Sequence, residues 1–182
     1  MDTKQIDKSW PWMAVGQEIG DVLAGIDAEA FKLVVRVFDD ATRRWFFSGQ
    51  GRSGLAAQMG AMRFMHMGRQ THFVGEVTAP SIRNGDGLVV VSGSGETAVS
   101  VNFARIAKNE GAVVILLTHK PNSTLAGLAD AILVVPVEKT AQFGGSLFEQ
   151  ISLILLDAIV LELSRGVHDA HQRMHRRHAN LQ

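Results

Sequence analysis

The chain has 182 residues; 46% are hydrophobic, and 18 basic side chains balance 18 acidic ones. A chain without excess positive charge binds a phosphate backbone poorly, so we expect no nucleic-acid partner. Cysteine is absent, which excludes disulfides, thiolate nucleophiles and cysteine-bound metals. Apolar runs fall short of the roughly 20 residues that span a bilayer, and the polar residues 1–12 lack the apolar core of a signal peptide. We therefore expect a cytoplasmic protein with no membrane partner.

Helix-like and strand-like segments alternate along the chain. Apolar residues at helical spacing predict helices over residues 13–42, with a break near Gly25. Short, continuous apolar runs then predict five strands, at residues 45–47, 72–74, 88–91, 113–117 and 131–135. The predicted helices between and after these strands cover residues 53–67, 98–110, 123–128, 147–164 and 167–177.

This alternation indicates the fold class. Fully apolar strands separated by helices are typical of a parallel sheet covered on both faces, with right-handed crossovers. We therefore predict an α/β, three-layer fold with a five-stranded parallel sheet flanked by helices and extra helices at both termini. No linker divides the chain, so residues 1–182 are predicted to form one domain: N-terminal helices over 1–42, a core over 43–165, and a C-terminal helix or tail over 166–182.

Two glycine-serine loops follow the first and third predicted strands. Residues 48–54 read Ser-Gly-Gln-Gly-Arg-Ser-Gly, and residues 92–97 read Ser-Gly-Ser-Gly-Glu-Thr. In an open α/β sheet, ligands bind beyond the carboxyl ends of strands, where helix N-termini offer free N–H groups to anions. The hydroxyls of Ser92, Ser94 and Thr97 are more than helix capping needs. The second loop is therefore predicted to bind a phosphate group.

The first loop also matches a different pattern. Gly49, Gly51 and Gly54 fit the G-x-G-x-x-G fingerprint of dinucleotide-binding proteins, and Glu76 lies 22 residues further on, where a ribose-binding carboxylate would stand. Arg52 can clamp phosphate in either case. A dinucleotide enzyme does not use a second, hydroxyl-rich anion loop, so we keep this interpretation as the less favoured alternative.

The two loops, in this order, resemble the sugar isomerase (SIS) domain family, whose members bind phosphosugars. Further segments narrow the resemblance to the 6-phospho-3-hexuloisomerase branch; they are residues 51–54, 61–68, 74–80, 145–149 and 177–182. The chain departs from the usual pattern of that branch at Gln50, Gly144 and Ser146.

The resemblance implies an activity and an assembly. The reaction interconverts D-arabino-hex-3-ulose 6-phosphate and D-fructose 6-phosphate through a cis-enediol, as in formaldehyde fixation by the ribulose monophosphate pathway. It implies no metal or organic cofactor. It also implies a homo-oligomer, a tetramer built as a dimer of dimers, with active sites shared between subunits.

The resemblance also assigns site residues. Glu149, which by spacing alone is an ordinary acidic residue of a first helical turn, becomes the predicted proton-transferring base. His178 becomes the second catalytic group, acting across a subunit interface on hydroxyl protons or on ring opening. The residues predicted to bind the substrate or its phosphate are Ser48, Gly51, Arg52, Ser53, Ser92, Gly93, Ser94, Thr97 and Glu76.

Several alternatives remain open at this point. His168, His171, His175 and His178 share helical spacing, which permits a metal site but is more typical of packing or interface residues, so we predict no metal. His66 is predicted to be a core histidine. The activity alternatives are another SIS isomerase, of the arabinose 5-phosphate or sedoheptulose 7-phosphate type, and a non-catalytic phosphosugar-binding regulator.

Overall fold

The computed structural model describes residues 10–181, so residues 1–9 and Gln182, which carry parts of the N-terminal and C-terminal predictions, lie outside the described residues. Helices and strands alternate as predicted. The helices are α1 (Pro11–Ala24), α2 (Ala28–Phe38), α3 (Arg52–Met67), α4 (Ala98–Asn109), α5 (Ser146–Leu163) and α6 (Ala170–His175). The strands are β1 (Trp45–Gly49), β2 (Thr71–Phe73), β3 (Gly87–Val91), β4 (Val113–Thr118) and β5 (Ala131–Val134).

The five strands form one parallel sheet in the order β2-β1-β3-β4-β5, which confirms the predicted fold class. The chain starts near the middle and winds outwards in both directions, so β1 and β3 are neighbours at the switch point. Their register pairs Gly49 with Val91. The two glycine-serine loops therefore leave the sheet side by side, at its carboxyl edge.

Each face of the sheet buries its own apolar cluster. Alternate strand residues, among them Phe47, Val89 and Leu117, pack against α1, α2, α3 and α5. The residues between them, such as Phe46 and Leu116, pack against α4 and the turns beyond β4. Burying a strand on both faces requires the continuous apolar runs seen in the sequence. No helix within residues 10–181 has the length and apolar character needed to cross a membrane.

The observed helix ends agree with the predicted ones near the N-terminus and differ from them near the C-terminus. The predicted break near Gly25 is confirmed: α1 ends at Ala24, and the Asp27 carboxylate caps α2 by accepting the N–H groups of Glu29 and Ala30 at 2.8 and 3.0 Å. The C-terminal helix is shorter than predicted, since α6 covers only Ala170–His175.

The helix predicted over residues 123–128 is wrong, because this segment forms turns. The Leu125 N–H donates to the Gly95 carbonyl at 3.1 Å, and the Leu125 side chain is fully buried against the α4 face of the sheet. The Gly127 N–H donates to the Ser123 carbonyl, but the next two N–H groups, of Leu128 and Ala129, donate to carbonyls three residues earlier, which gives tight turns instead of an α-helix. The segment instead packs against the second glycine-serine loop and holds its Gly95 carbonyl through a hydrogen bond.

Candidate active site at the carboxyl edge of the sheet

The first loop is a tight turn that only glycine permits. Gly51 has a φ of +58°. A Cβ at Gly49 would lie 2.7 Å from the Ser53 carbonyl, and one at Gly54 would lie 2.7 Å from the Gly49 oxygen. Strand β1 can therefore turn directly into α3 and bring the first N–H groups of that helix to the sheet edge. Ser48 is buried at the end of β1, and Ser53 lies in the first turn of α3.

The second loop holds hydroxyls that do not cap α4. Ser92 is 4% exposed, and its Oγ has no hydrogen-bond partner among the described residues. Thr97 precedes α4, yet its side chain makes no capping bond. Ser94 Oγ accepts the Glu96 N–H at 3.2 Å. A buried hydroxyl without a partner costs about 1–3 kcal/mol, which a bound anion would offset.

Gly95 and Glu96 fix the second loop against the turns beyond β4. Gly95 has a φ of +66°, and a Cβ there would lie 2.0 Å from Ser123 Oγ. The Glu96 carboxylate accepts the N–H and the hydroxyl of Thr124, both at 2.7 Å, and these hydrogen bonds lower the pKa of Glu96. Glu96 is thus an ionised anchor rather than a proton-transferring group.

Glu149 lies in the first turn of α5, where it forms an ion pair with Arg52 at the start of α3. The carboxylate side chain is 15% exposed, whereas the Arg52 side chain is 63% exposed. Because α3 and α5 pack side by side, their N-termini reach the same edge of the sheet as the two loops. A largely buried carboxylate, an exposed guanidinium and the two glycine-serine loops therefore meet at one place.

The comparisons agree with this arrangement. The family model of the SIS domain matches residues 40–162, which include both loops and most of α5. The chain belongs to the SIS domain family. The strand order also differs from the 3-2-1-4-5-6 order of classic dinucleotide-binding folds, so the G-x-G-x-x-G match is explained by the SIS turn after β1.

Several relatives of this SIS protein share one description. The 3-hexulose-6-phosphate isomerase of Mycobacterium gastri is 39% identical over 176 residues, covering 92% of this chain and 88% of the relative. A protein of the same description from Methylomonas aminofaciens is 38% identical, covering 90% of this chain and 92% of the relative. Among solved structures, a hypothetical protein of Methanococcus jannaschii superposes with a TM-score of 0.81 at 28% identity, covering 93% of this chain and 97% of that one. The function inferred for that protein from its structure is 3-hexulose-6-phosphate isomerase.

Glu76 lies apart from the Arg52–Glu149 pair of the SIS site. Its carboxylate is 3.1 Å from Nδ1 of His72, on the edge strand β2. Together with Met62 it lines a groove between α3 and that strand. Within one chain the structure does not bring Glu76 into contact with the other predicted site residues.

His178 also lies apart from Glu149 within the SIS subunit. Its ring stacks on His66, with centroids 5.3 Å apart. His66 is in the last turn of α3, 14 residues beyond Arg52, which is about 21 Å along the helix at 1.5 Å per residue. His66 itself is buried, as predicted for a core histidine. Within residues 10–181, no three acidic or histidine side chains converge as metal ligands.

Two residues of the site region were missed in the sequence. His119, the first residue after β4, contacts Gly93 and Phe148 at the carboxyl edge; its position after a strand was the available signal. Glu18 of α1 accepts hydrogen bonds from the Thr140 hydroxyl, the Ala141 N–H and the Gln142 amide at 2.7, 2.7 and 3.0 Å. Glu18 thereby anchors the segment that leads into α5. No local sequence pattern predicts this contact, because its partners are 122 residues apart in the chain.

Proposed function

We propose that this SIS protein is a 6-phospho-3-hexuloisomerase, which interconverts D-arabino-hex-3-ulose 6-phosphate and D-fructose 6-phosphate. The observation that carries the proposal is the Glu149 carboxylate, held by Arg52 beside two anion-binding loops. The named relatives, which match most of this chain at 38–39% identity, support the same activity.

The substrate phosphate binds where the two loops meet. The buried hydroxyl of Ser92, which has no partner within residues 10–181, and the hydroxyl of Thr97, which does not cap α4, are donors for its oxygens. Helix N-termini add N–H groups and partial positive charge. The full proposed binding set is Ser48, Gly51, Arg52, Ser53, Ser92, Gly93, Ser94 and Thr97, with Glu76 on the substrate side.

Glu149 transfers the carbon-bound proton. In the 3-ulose the carbonyl is at C3, so the carboxylate removes the proton from C2 and a C2–C3 enediol forms. The protonated carboxyl then returns a proton to C3, while the hydroxyl proton on O2 leaves and the carbonyl moves to C2. One carboxylate above both carbons suffices, and no cofactor enters the balance.

His178 acts from a neighbouring subunit. Its distance from Glu149 within the chain excludes direct cooperation in one subunit, so a shared site requires an oligomer, proposed as a tetramer built as a dimer of dimers. The outer face of α3 supports this: Leu55, Met59 and Met62 are 59%, 48% and 51% exposed at helical spacing. We further propose that residues 1–182 form one cytoplasmic domain, active in the ribulose monophosphate pathway.

The deciding experiment measures fructose 6-phosphate formation from D-arabino-hex-3-ulose 6-phosphate, in buffer with a chelator. Glu149→Gln keeps the size of the side chain but removes the base, so we expect kcat to fall by about 10²-fold or more. Glu162→Gln is the matched control, because Glu162 lies on the same helix and pairs with Arg165 at its far end.

Each other outcome has a distinct meaning. An unimpaired Glu149→Gln enzyme would reject Glu149 as the base. A wild type that binds phosphosugar without converting this substrate would favour the regulator or an isomerase of the arabinose 5-phosphate or sedoheptulose 7-phosphate type. Loss of wild-type activity on chelation would revive the histidine metal site.

A further inference from the structure

His119 stands on the same face of the sheet as the proposed base. Ile115 and Leu117 of β4 belong to the apolar cluster that includes α5. Side chains alternate along a strand, so His119 continues that row just beyond the end of β4. Its ring centroid lies 5.8 Å from that of Phe148, the residue before Glu149.

The ring also borders the phosphate loop. A Cβ built on Gly93 would lie 3.5 Å from Nε2 of His119, so the imidazole edge lies against this glycine. The backbone is held there, because the His119 N–H donates to the Gly93 carbonyl at 3.3 Å and the Thr118 hydroxyl donates to the same oxygen at 2.9 Å. The imidazole is thus fixed between the second loop and the first turn of α5.

The ring nitrogens are left for a ligand. Within the part of the chain that the structure describes, His119 makes no side-chain hydrogen bond, although the residue is half-buried. Burial lowers the pKa of His119, and the positive charge of Lys120 lowers it further. The ring is therefore neutral near pH 7, with one nitrogen that donates and one that accepts.

The proposed reaction needs such a group. While Glu149 moves the carbon-bound proton, the proton on O2 must leave and O3 must gain one. His178 stacks on His66, which lies about 21 Å along α3 from Arg52 in the same chain. A neutral imidazole beside a carboxylate base is an established arrangement for polarising a carbonyl and moving protons between adjacent oxygens.

We propose that His119 is a catalytic residue that contacts O2 and O3 of the substrate and moves the proton between them. In the forward direction its N–H proton passes to O3 as Glu149 takes the C2 proton, and the O2 proton replaces it on the ring as Glu149 delivers a proton to C3. Ring opening of fructose 6-phosphate is then left to His178. This inference rests on the proposed isomerase function.

The test separates proton abstraction from proton relay in His119→Gln. Isomerisation is followed as fructose 6-phosphate formation, and abstraction as exchange of the C3 hydrogen of fructose 6-phosphate in D₂O by NMR. We expect kcat for isomerisation to fall about 10²-fold or more with a smaller change in KM. Exchange falls less, because Glu149 is intact, so the ratio of exchange to isomerisation rises.

Matched variants give the comparison its meaning. Glu149→Gln loses both reactions, and His168→Gln, whose side chain is 94% exposed on the C-terminal segment, changes neither. If His119 only supports the fold, exchange and isomerisation fall by the same factor in His119→Gln, and the inference is overturned.

If His119→Gln does not fold, a measurement on the wild-type protein still tests whether His119 contacts the substrate. The ring signals of His119 should shift when fructose 6-phosphate is titrated to saturation, with ³¹P NMR reporting binding of the phosphate. Unmoved ring signals at saturation contradict the contact. A wild type without turnover contradicts the isomerase function, whereas an active wild type with an equally active His119→Gln contradicts this inference alone.

Discussion

At the scale of single residues, His66 shows how burial sets the chemistry of a side chain. The ring is 5% exposed among the residues that join α3 to the C-terminal segment. Burial lowers the pKa of His66 below 6.5, and the nearby charges of Arg63 and His178 lower it further. The folded protein therefore holds His66 neutral at a pH where the unfolded chain protonates it.

This difference predicts a pH-dependent stability. Above about pH 6.5 neither state binds the proton, so His66 contributes nothing to the pH dependence. As pH falls below that value, His66 becomes protonated in the unfolded chain but stays neutral in the folded protein. The free energy of unfolding therefore falls until the pH drops below the pKa of His66 in the folded protein. We expect His66→Gln to flatten the fall in Tm between about pH 7 and pH 5, measured by thermal unfolding.

The control for this measurement is a solvent-exposed histidine of the same protein. His168→Gln removes an exposed ring and should leave the slope of Tm against pH as in wild type. An equally steep slope in His66→Gln and in wild type would assign the acid sensitivity to other groups.

At the scale of elements, the packing of α3 on α5 places the site. Gly60 lies where the two helices approach: a Cβ there would be 2.6 Å from Cδ1 of Leu156. The same two helices carry Arg52 and Glu149 in their first turns. We therefore expect their separation at Gly60 to control whether this ion pair can form at the sheet edge.

A double-mutant cycle tests this packing. Leu156→Ala should lower the free energy of unfolding by about 2–5 kcal/mol, because it opens a cavity between the helices. Gly60→Ala gains up to about 1 kcal/mol of helix propensity but clashes with Leu156. In the Leu156→Ala background the clash is gone, so the same change should stabilise, with a coupling of about 0.5–3 kcal/mol.

Chemical denaturation of the four proteins gives the coupling, and the isomerase assay gives its consequence. In the wild-type background, Gly60→Ala should also lower kcat, since it pushes the two N-termini apart. Additive stabilities, with unchanged kcat in Gly60→Ala, would mean that the spacing of α3 and α5 is not set at this glycine.

At the scale of the whole molecule, the proposed catalytic groups Glu149 and His178 lie far apart within one chain. Glu149 is at the carboxyl edge of the sheet, whereas His178 stacks on His66 at the far end of α3. The exposed apolar stripe of Leu55, Met59 and Met62 runs along the same helix. A second subunit on this stripe would complete the site with its own C-terminal segment.

Subunit mixing tests this division. Assayed from fructose 6-phosphate, whose ring must first open, Glu149→Gln and His178→Gln should each lose most isomerase activity as pure proteins. When the two are unfolded and refolded together in equal amounts, about a quarter of random pairings combine an intact Glu149 with an intact His178. We expect activity to recover to about that fraction of wild type.

The readout is the activity of the mixture against that of each protein refolded alone. A mixture no more active than its parts would mean that both groups serve the same subunit or that His178 has no role. Mixing Glu149→Gln with a second Glu149 variant is the matched control and should stay inactive.

The sequence by itself determined the elements whose cause is local. Continuous apolar runs predicted the buried parallel strands, and glycines after β1 and β3 predicted the tight turns there, because periodicity and turn chemistry act over a few residues. The same reasoning was wrong for residues 123–128. This segment forms successive turns, and its Leu125 N–H bonds to the carbonyl of Gly95, thirty residues earlier.

Only the tertiary structure decided which residues meet. The pairing of Arg52 with Glu149, the anchoring of residues 140–142 by Glu18, and the place of His119 against Gly93 all join distant segments. The structure also separated His178 from Glu149 within a chain. These contacts depend on how the sheet and its helices pack, since the carboxyl ends of parallel strands collect loops from the whole chain at one edge.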